Sequence, residues 1–239
     1  MEALYKQTQF EIERFGAGKN SIETLFIGGG TPSTISPKLY EPVFELLRPY
    51  LLPNAEITVE ANPNSASVEW LDGMKKLGVN RVSFGVQSFK EEKLAFLGRA
   101  HSPKQAKTSI ISAKNIGFEH ISLDLIYGVQ GDTKHKLLND IRQAFELPID
   151  HISAYELTIE SNTPFAATPE VKQNDESLAF FVAEQITGRG FEHYEISNFG
   201  RYKSRHNIGY WEQKDYIGLG AGAVGFKGLT PQATRYYPP

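Results

Sequence analysis

The sequence predicts an α/β fold built on a parallel sheet, open or closed into a barrel. Three observations predict it. Short strand-like runs alternate with helical stretches, the helices carry start and stop signals, and successive runs lie one βα unit apart. Five such units in a row argue for parallel strands joined by helical crossovers.

The first run, "IETLFI" (22–27), stops on Gly28, Gly29 and Gly30, followed by Thr31. Three consecutive glycines are costly in backbone entropy, so a bare backbone must be needed there. Ser36 and Pro37 read as N-cap and first-turn proline of a helix running to about Leu52. The second run, "AEITVE" (55–60), ends on Glu60, with Asn62 just beyond. Gly78 stops the next helix, and the third run, "NRVSFGV" (80–86), leads into Gln87 and Ser88. Ser88 with Glu91 has capping-box spacing, and so does Ser102 with Gln105, which opens a helix over 103–116 that Gly117 stops. The fourth run, "HISLDLIY" (120–127), holds Asp124, and the fifth, "HISAYEL" (151–157), holds Glu156 and leads to Thr158.

The pattern changes after about residue 160. A long loop with two prolines, "ESNTPFAATPE" (160–170), precedes a helix over 174–188, then "FEHYEIS" and a glycine- and aromatic-rich stretch without a clear period. We therefore divide the chain into a βα part, 1–165, and a C-terminal α+β extension of the same domain, 166–239.

Composition narrows the function. The chain has 239 residues, 40 % of them hydrophobic, enough to bury a full core. A net charge of -3 leaves no electrostatic footprint for nucleic acid or an acidic membrane surface. No apolar stretch is long enough to span a bilayer, and the N-terminus lacks a signal-peptide pattern, so a cytoplasmic location is expected. With no cysteine, this chain supplies no disulfide, no thiol nucleophile and no thiolate ligand for zinc or an iron–sulfur cluster.

In parallel α/β folds, reactive groups gather at the carboxyl ends of the strands. Here each run carries a polar or glycine signal near that end: Gly28 to Thr31, Glu60, Gln87, Asp124 and Glu156. Taken singly, each acid reads as a solvated strand tip or a loop cap; taken together, they read as a ligand face. The glycines match neither GxGxxG nor a phosphate loop, so a nucleotide is poorly supported.

Assembled in order, "FIGGGTPS", "EITVEANP", "GVNRVSFGVQSF", "LGRAH", "SLDLIYGVQG", "YELTIE", "YEISNF" and "GLGAGAVG" resemble the oxygen-independent coproporphyrinogen III oxidase-like branch of the radical S-adenosylmethionine enzymes. Within that branch, "RHNIGYW" (205–211) fits the HNxxYW signature of the haem chaperones, where the true oxidases differ. The resemblance implies a partial (β/α)₆ barrel holding S-adenosylmethionine against a [4Fe–4S] cluster. Gly29, Gly30 and Thr31 would meet the methionine end of the cofactor, and Glu60, Gln87, Arg99 and Asp124 would make its polar contacts. Thr158 and Val224 fall where the family touches the cofactor through backbone or small side chains. His206 would serve haem as an axial ligand, with Tyr210 and Trp211 packed on the porphyrin. Histidines 101, 120, 135, 151 and 193 show no metal-ligand spacing.

The sequence departs from the family at its ends. The family opens with a strand and a CxxxCxxC loop, and this chain has neither, so it is expected to lack the first barrel strand and the cluster ligands. That predicts a chain inactive in radical chemistry. Two functions follow from the resemblance: a haem-binding protein that delivers haem to an accepting protein, or an oxidase decarboxylating porphyrinogen propionates. An unrelated βα-barrel enzyme would have to use Glu60 and Asp124 as its acid–base pair.

Overall fold

Strict alternation of polar and apolar residues along the central strands sets the two faces of the sheet, and the rest of the chain packs accordingly. The computed structural model describes residues 1–161, 164–228 and 234–236; parts of the 160–170 loop and of the C-terminus lie outside them. In chain order the first elements are α1 (Glu2–Phe15), β1 (Ile22–Ile27), α2 (Glu41–Leu47), β2 (Leu51–Ala61), α3 (Val68–Leu77) and β3 (Arg81–Gln87). There follow α4 (Glu91–Phe96), α5 (Pro103–Ile116), β4 (His120–Tyr127), α6 (Lys134–Phe145) and β5 (His151–Glu156). The last are α7 (Glu176–Thr187), β6 (Glu192–His193), β7 (Asn198–Gly200), α8 (Arg205–Trp211), β8 (Gly225–Lys227) and β9 (Thr234–Tyr236).

Among the described residues, seven strands form one curled sheet in the order β1-β2-β3-β4-β5-β7-β6. β1 to β5 are parallel in sequence order, the partial barrel expected. β7 then joins β5 antiparallel, and β6 joins β7 antiparallel. β1 lies at the sheet's end, paired on one side only.

One face of this sheet is apolar. Ile57, Val59, Val82, Phe84, Ile121, Leu123 and Ile152 are buried in a single core with Leu71 and Met74 of α3, Ile110 of α5, Ile141 of α6 and Val182 of α7. The opposite, concave face is polar: Glu56, Thr58 and Glu60 on β2, Arg81 and Ser83 on β3, Ser122 and Asp124 on β4, His151 and Ser153 on β5. A polar row on a buried face is stable only if its members satisfy one another.

Helix ends follow the sequence signals in several places. Ser102 and Gln105 form the reciprocal capping box, and Gly78 and Gly117 close their helices at φ 108° and 96°. Three expectations need correction. The helix opened at Ser36-Pro37 is a 3₁₀ turn followed by α2, which ends at Leu47; Leu51 and Leu52 already belong to β2. Pro42 restarts the helix and Pro49 prevents its continuation, while Pro53 falls in the irregular register between Ile22 and Thr24 of β1, where no ladder bond is required of it. Ser88 does not cap α4. Its hydroxyl donates to the buried Asp140 carboxylate at 2.7 Å, and Asp140 also accepts from the Phe89 amide. The stretch after "FEHYEIS" is not all loop, since it supplies β7 and α8.

Among the described residues, no helix is long and apolar enough to cross a membrane.

Gly200 ties β7 to the start of β5. A Cβ there would be driven into the Tyr202 carbonyl oxygen and would lie 2.9 Å from that of Asp150. Both are main-chain atoms, so Gly200→Ala should lower stability by about 1–3 kcal/mol in urea denaturation. A surface control such as Gly18→Ala, with no atom near its Cβ, should show no comparable loss.

Candidate functional site

The concave face carries three carboxylates, Glu56, Glu60 and Asp124, around the buried guanidinium of Arg81, which is 2 % exposed. Asp124 accepts from the Ser83 hydroxyl at 3.3 Å. Burial, reinforced by the charge of Glu60, raises its pKa to about 6, against partial compensation from Ser153, Arg81 and Ser83. Burial also raises the pKa of Glu60, offset in part by the Gly29 N–H and Arg81. Glu56 is the exception. Burial pushes its pKa up, but Arg81 and the hydrogen bonds it accepts outweigh that, leaving it below the ordinary value. The face is therefore net acidic and suits a cationic ligand.

The glycine triplet leaves β1 beside Glu60. A Cβ on Gly28 would lie 2.7 Å from the Phe26 ring and 3.1 Å from the Glu60 carboxylate, so that glycine serves internal packing. Gly29 and Gly30 have φ of 76° and 45°, with open space where a Cβ would be. Their side is bare and exposed, and the Gly29 N–H donates to Glu60 Oε2 at 3.2 Å. This is a backbone cradle hinged on a carboxylate.

α8 docks against β1 and carries the HNxxYW residues. The His206 ring stacks on Phe26 at 4.8 Å between centroids. Its Nδ1 shares a hydrogen bond with Thr24 Oγ1 and its Nε2 with the Tyr210 hydroxyl, both at 2.9 Å. Burial, with Arg81 adding to it against the opposing Glu56, lowers its pKa to about 4, so the imidazole is neutral at physiological pH. Tyr210 and Trp211 are exposed, and the Trp211 indole donates to Glu195. A groove of about 860 Å³ runs beside β1, bringing His206 and Tyr210 together with Gly28 to Gly30 and Val224.

The remaining predicted residues are more dispersed. Gln87 is buried at a register shift of β3 with φ 68°, while Arg99 is exposed after α4. Thr31 is half-buried at the turn into the 3₁₀ helix, and Thr158 is exposed beyond β5. Glu156 is exposed and paired with Lys172 at 3.2 Å, outside the cluster on the concave face.

The largest polar knot was not visible in the strand-end reading. Glu56 accepts from the Tyr202 hydroxyl at 2.7 Å, Ser204 Oγ at 3.1 Å, Arg205 N at 2.8 Å and His206 N at 3.0 Å. Beside this knot the ring of His120 stacks on that of Tyr202 at 3.4 Å between centroids, and its Nδ1 meets Asp150 at 2.7 Å. The signal for Glu56 was present in "EITVE", where residues 56, 58 and 60 are polar on one strand face.

An Asp whose folded pKa is raised stabilises the fold most below its unfolded pKa of 3.8, and loses that contribution as pH rises through about 6. Asp124→Asn removes the titration. Wild-type stability relative to this variant should therefore fall as pH rises from 4 to 7, measured by urea denaturation across that range. A constant difference would contradict the environment described for Asp124.

Comparison with known proteins places the chain. A model of the radical SAM superfamily matches residues 9–144. The heme chaperone HemW of Escherichia coli K12 is 42 % identical over 212 residues, covering 85 % of this chain and 56 % of the relative. HemW of Bacillus subtilis 168 is 37 % identical over 225 residues, covering 89 % and 59 %. The chain thus spans less than two thirds of the length of these relatives. Among solved structures, coproporphyrinogen III oxidase (HemN) of E. coli superposes with a TM-score of 0.77 at 24 % identity, over 94 % of this chain and 56 % of that one. Archaeal Elp3 of Methanocaldococcus infernus gives 0.61 at 21 % identity, over 77 % and 49 %. Those two likenesses are of fold; with the family match over more than half of its length, this chain belongs to the radical SAM superfamily.

Proposed function

We propose that this chain is a haem-chaperone-like member of the superfamily, with haem as cargo at α8 and S-adenosylmethionine at the carboxyl ends of the strands. The observation that carries the reading is His206: a neutral imidazole from an HNxxYW helix, held at the groove beside the glycine turn. Neutral imidazole is the form that ligates haem iron, and iron would take the place of the Tyr210 hydroxyl on Nε2. Tyr210 and Trp211, exposed beside it, offer aromatic surface for the porphyrin. The relatives named heme chaperone support the same cargo, which would pass to an accepting protein in the cytoplasm. The fold likeness to the oxidase carries no substrate across, and "HNIGYW" favours the chaperone.

The residues present fit S-adenosylmethionine. Gly29, Gly30 and Thr31 offer bare backbone for its methionine end, Glu60 and Asp124 acidic contacts for its cationic groups, and Gln87, Arg99, Thr158 and Val224 further contacts. They do not fit a [4Fe–4S] cluster. The chain has no cysteine, and no group of three or more His, Cys, Asp or Glu residues capable of holding a metal occurs among the described residues. Reductive cleavage of the cofactor is accordingly no part of this proposal.

Haemin titration should give a Soret band that His206→Ala shifts or weakens, while His135→Ala, on the exposed face of α6, leaves it unchanged. Trp211→Ala should weaken binding by about 0.5–1.5 kcal/mol, the value of one aromatic contact. A spectrum insensitive to His206 in a folded sample would defeat the haem assignment. By calorimetry, S-adenosylmethionine should bind more weakly than to a cluster-bearing relative. Gly30→Val should abolish what remains, since a φ of 45° strains a β-branched residue and its side chain would fill the open space proposed for the ligand.

A further inference from the structure

We infer that Glu56 is the positioning residue for His206: its carboxylate holds the start of α8 on β2 and so fixes where the imidazole stands. This rests on the reading of His206 as the haem ligand, but its grounds are separate. Glu56 is 1 % exposed and lies on the polar face of β2, well below the strand end that carries Glu60. Its two oxygens accept four hydrogen bonds, all from residues 202–206. Two of the donors are side chains, Tyr202 and Ser204, and two are the main-chain amides of Arg205 and His206 itself.

The apolar contribution to this junction is small. α8 has no fully buried residue, so it cannot be held by an apolar stripe as α3, α5 and α6 are. Of the contacts that hold α8, those that bear on His206 itself from outside the helix are Phe26 under its ring, the Thr24 bond to Nδ1 and the Glu56 bond to its amide. Tyr194 accepts from the Ser204 N–H, and Trp211 and Tyr210 are held further along by Glu195 and Tyr216. The Thr24 and Phe26 contacts orient the ring only once its Cα is in place, and the Glu56 bond to the His206 amide places it. Arg205 reinforces the seat through a guanidinium contact to the Asn54 carbonyl, two residues before Glu56 on the same strand. Arg81 lies close enough to lower the Glu56 pKa, which keeps the carboxylate an acceptor rather than a donor. A glutamine at 56 retains the volume but presents an NH₂ group to amides that need an acceptor.

The test is Glu56→Gln beside His206→Ala and the double variant, with haemin as the probe. We expect Glu56→Gln to weaken haemin binding by roughly tenfold, as lost bonds to a charged acceptor would, and to shift the Soret band towards that of His206→Ala. The double variant should bind no worse than His206→Ala alone. Amide exchange should quicken at 204–211 while β3 and β4 keep wild-type protection. If Glu56→Gln does not fold, Tyr202→Phe, which removes one donor and leaves the charge, should show the same effects to a smaller degree. A folded variant with wild-type Soret position, affinity and exchange at 204–211 overturns the inference. Indifference of the spectrum to His206→Ala would instead overturn the haem reading, while exchange at 204–211 would still report on the Glu56 anchor.

Discussion

The structure depends on one constraint: a curled sheet whose concave face is polar must satisfy its own charges. Arg81 lies at the centre of that face, and the ionisation of Glu56, Glu60, Asp124, His151 and His206 is shaped by it. The guanidinium donates to Thr58 Oγ1 at 3.5 Å while its buried Nε meets no acceptor among the described residues, so the acids around it act on its charge through space rather than as ion pairs. The apolar face, by contrast, solves its problem in the ordinary way, with helices laid over alternating Val, Ile, Leu and Phe. The two faces divide the labour, one supplying stability and the other a field.

That division also explains how much could be read in the sequence. β1, β4 and the capping box at Ser102 follow local rules, and their positions agree closely with the expectation. So does the parallel order of five strands, because βα spacing and right-handed crossovers leave few alternatives. The carboxylates at strand ends, Glu60 and Asp124, were legible as chemistry because acids inside apolar runs demand a reason. Glu156 obeyed the same rule and yet pairs with Lys172 in solvent, so position along a strand alone does not select the site.

What was not legible is held by long-range polar contacts. β7 is three residues long and α8 seven, the latter without a fully buried side chain, so neither leaves a periodic trace. Their places are set by partners far away in the chain: Ser153 across from Asn198, and Glu56 beneath residues 202–206. Ser88 does not cap α4, since its hydroxyl points to the Asp140 carboxylate across the fold and accepts only from the Lys90 amide at the N-cap position itself. His120 is held in the same way, its ring stacked on that of Tyr202 from far along the chain.

The separation between Glu56 and the His206 amide is 150 residues. Contacts of that span raise the contact order of the fold, and the loop-closure entropy they cost is lost before they stabilise anything. During synthesis, β2 leaves the ribosome well before the helix that will cover it, and its acid waits in water until residues 202–206 arrive. The seat of α8 is complete only once the whole of that span has been made. Until residues 202–206 reach β2, the imidazole of His206 has no fixed place beside Phe26 and Thr24.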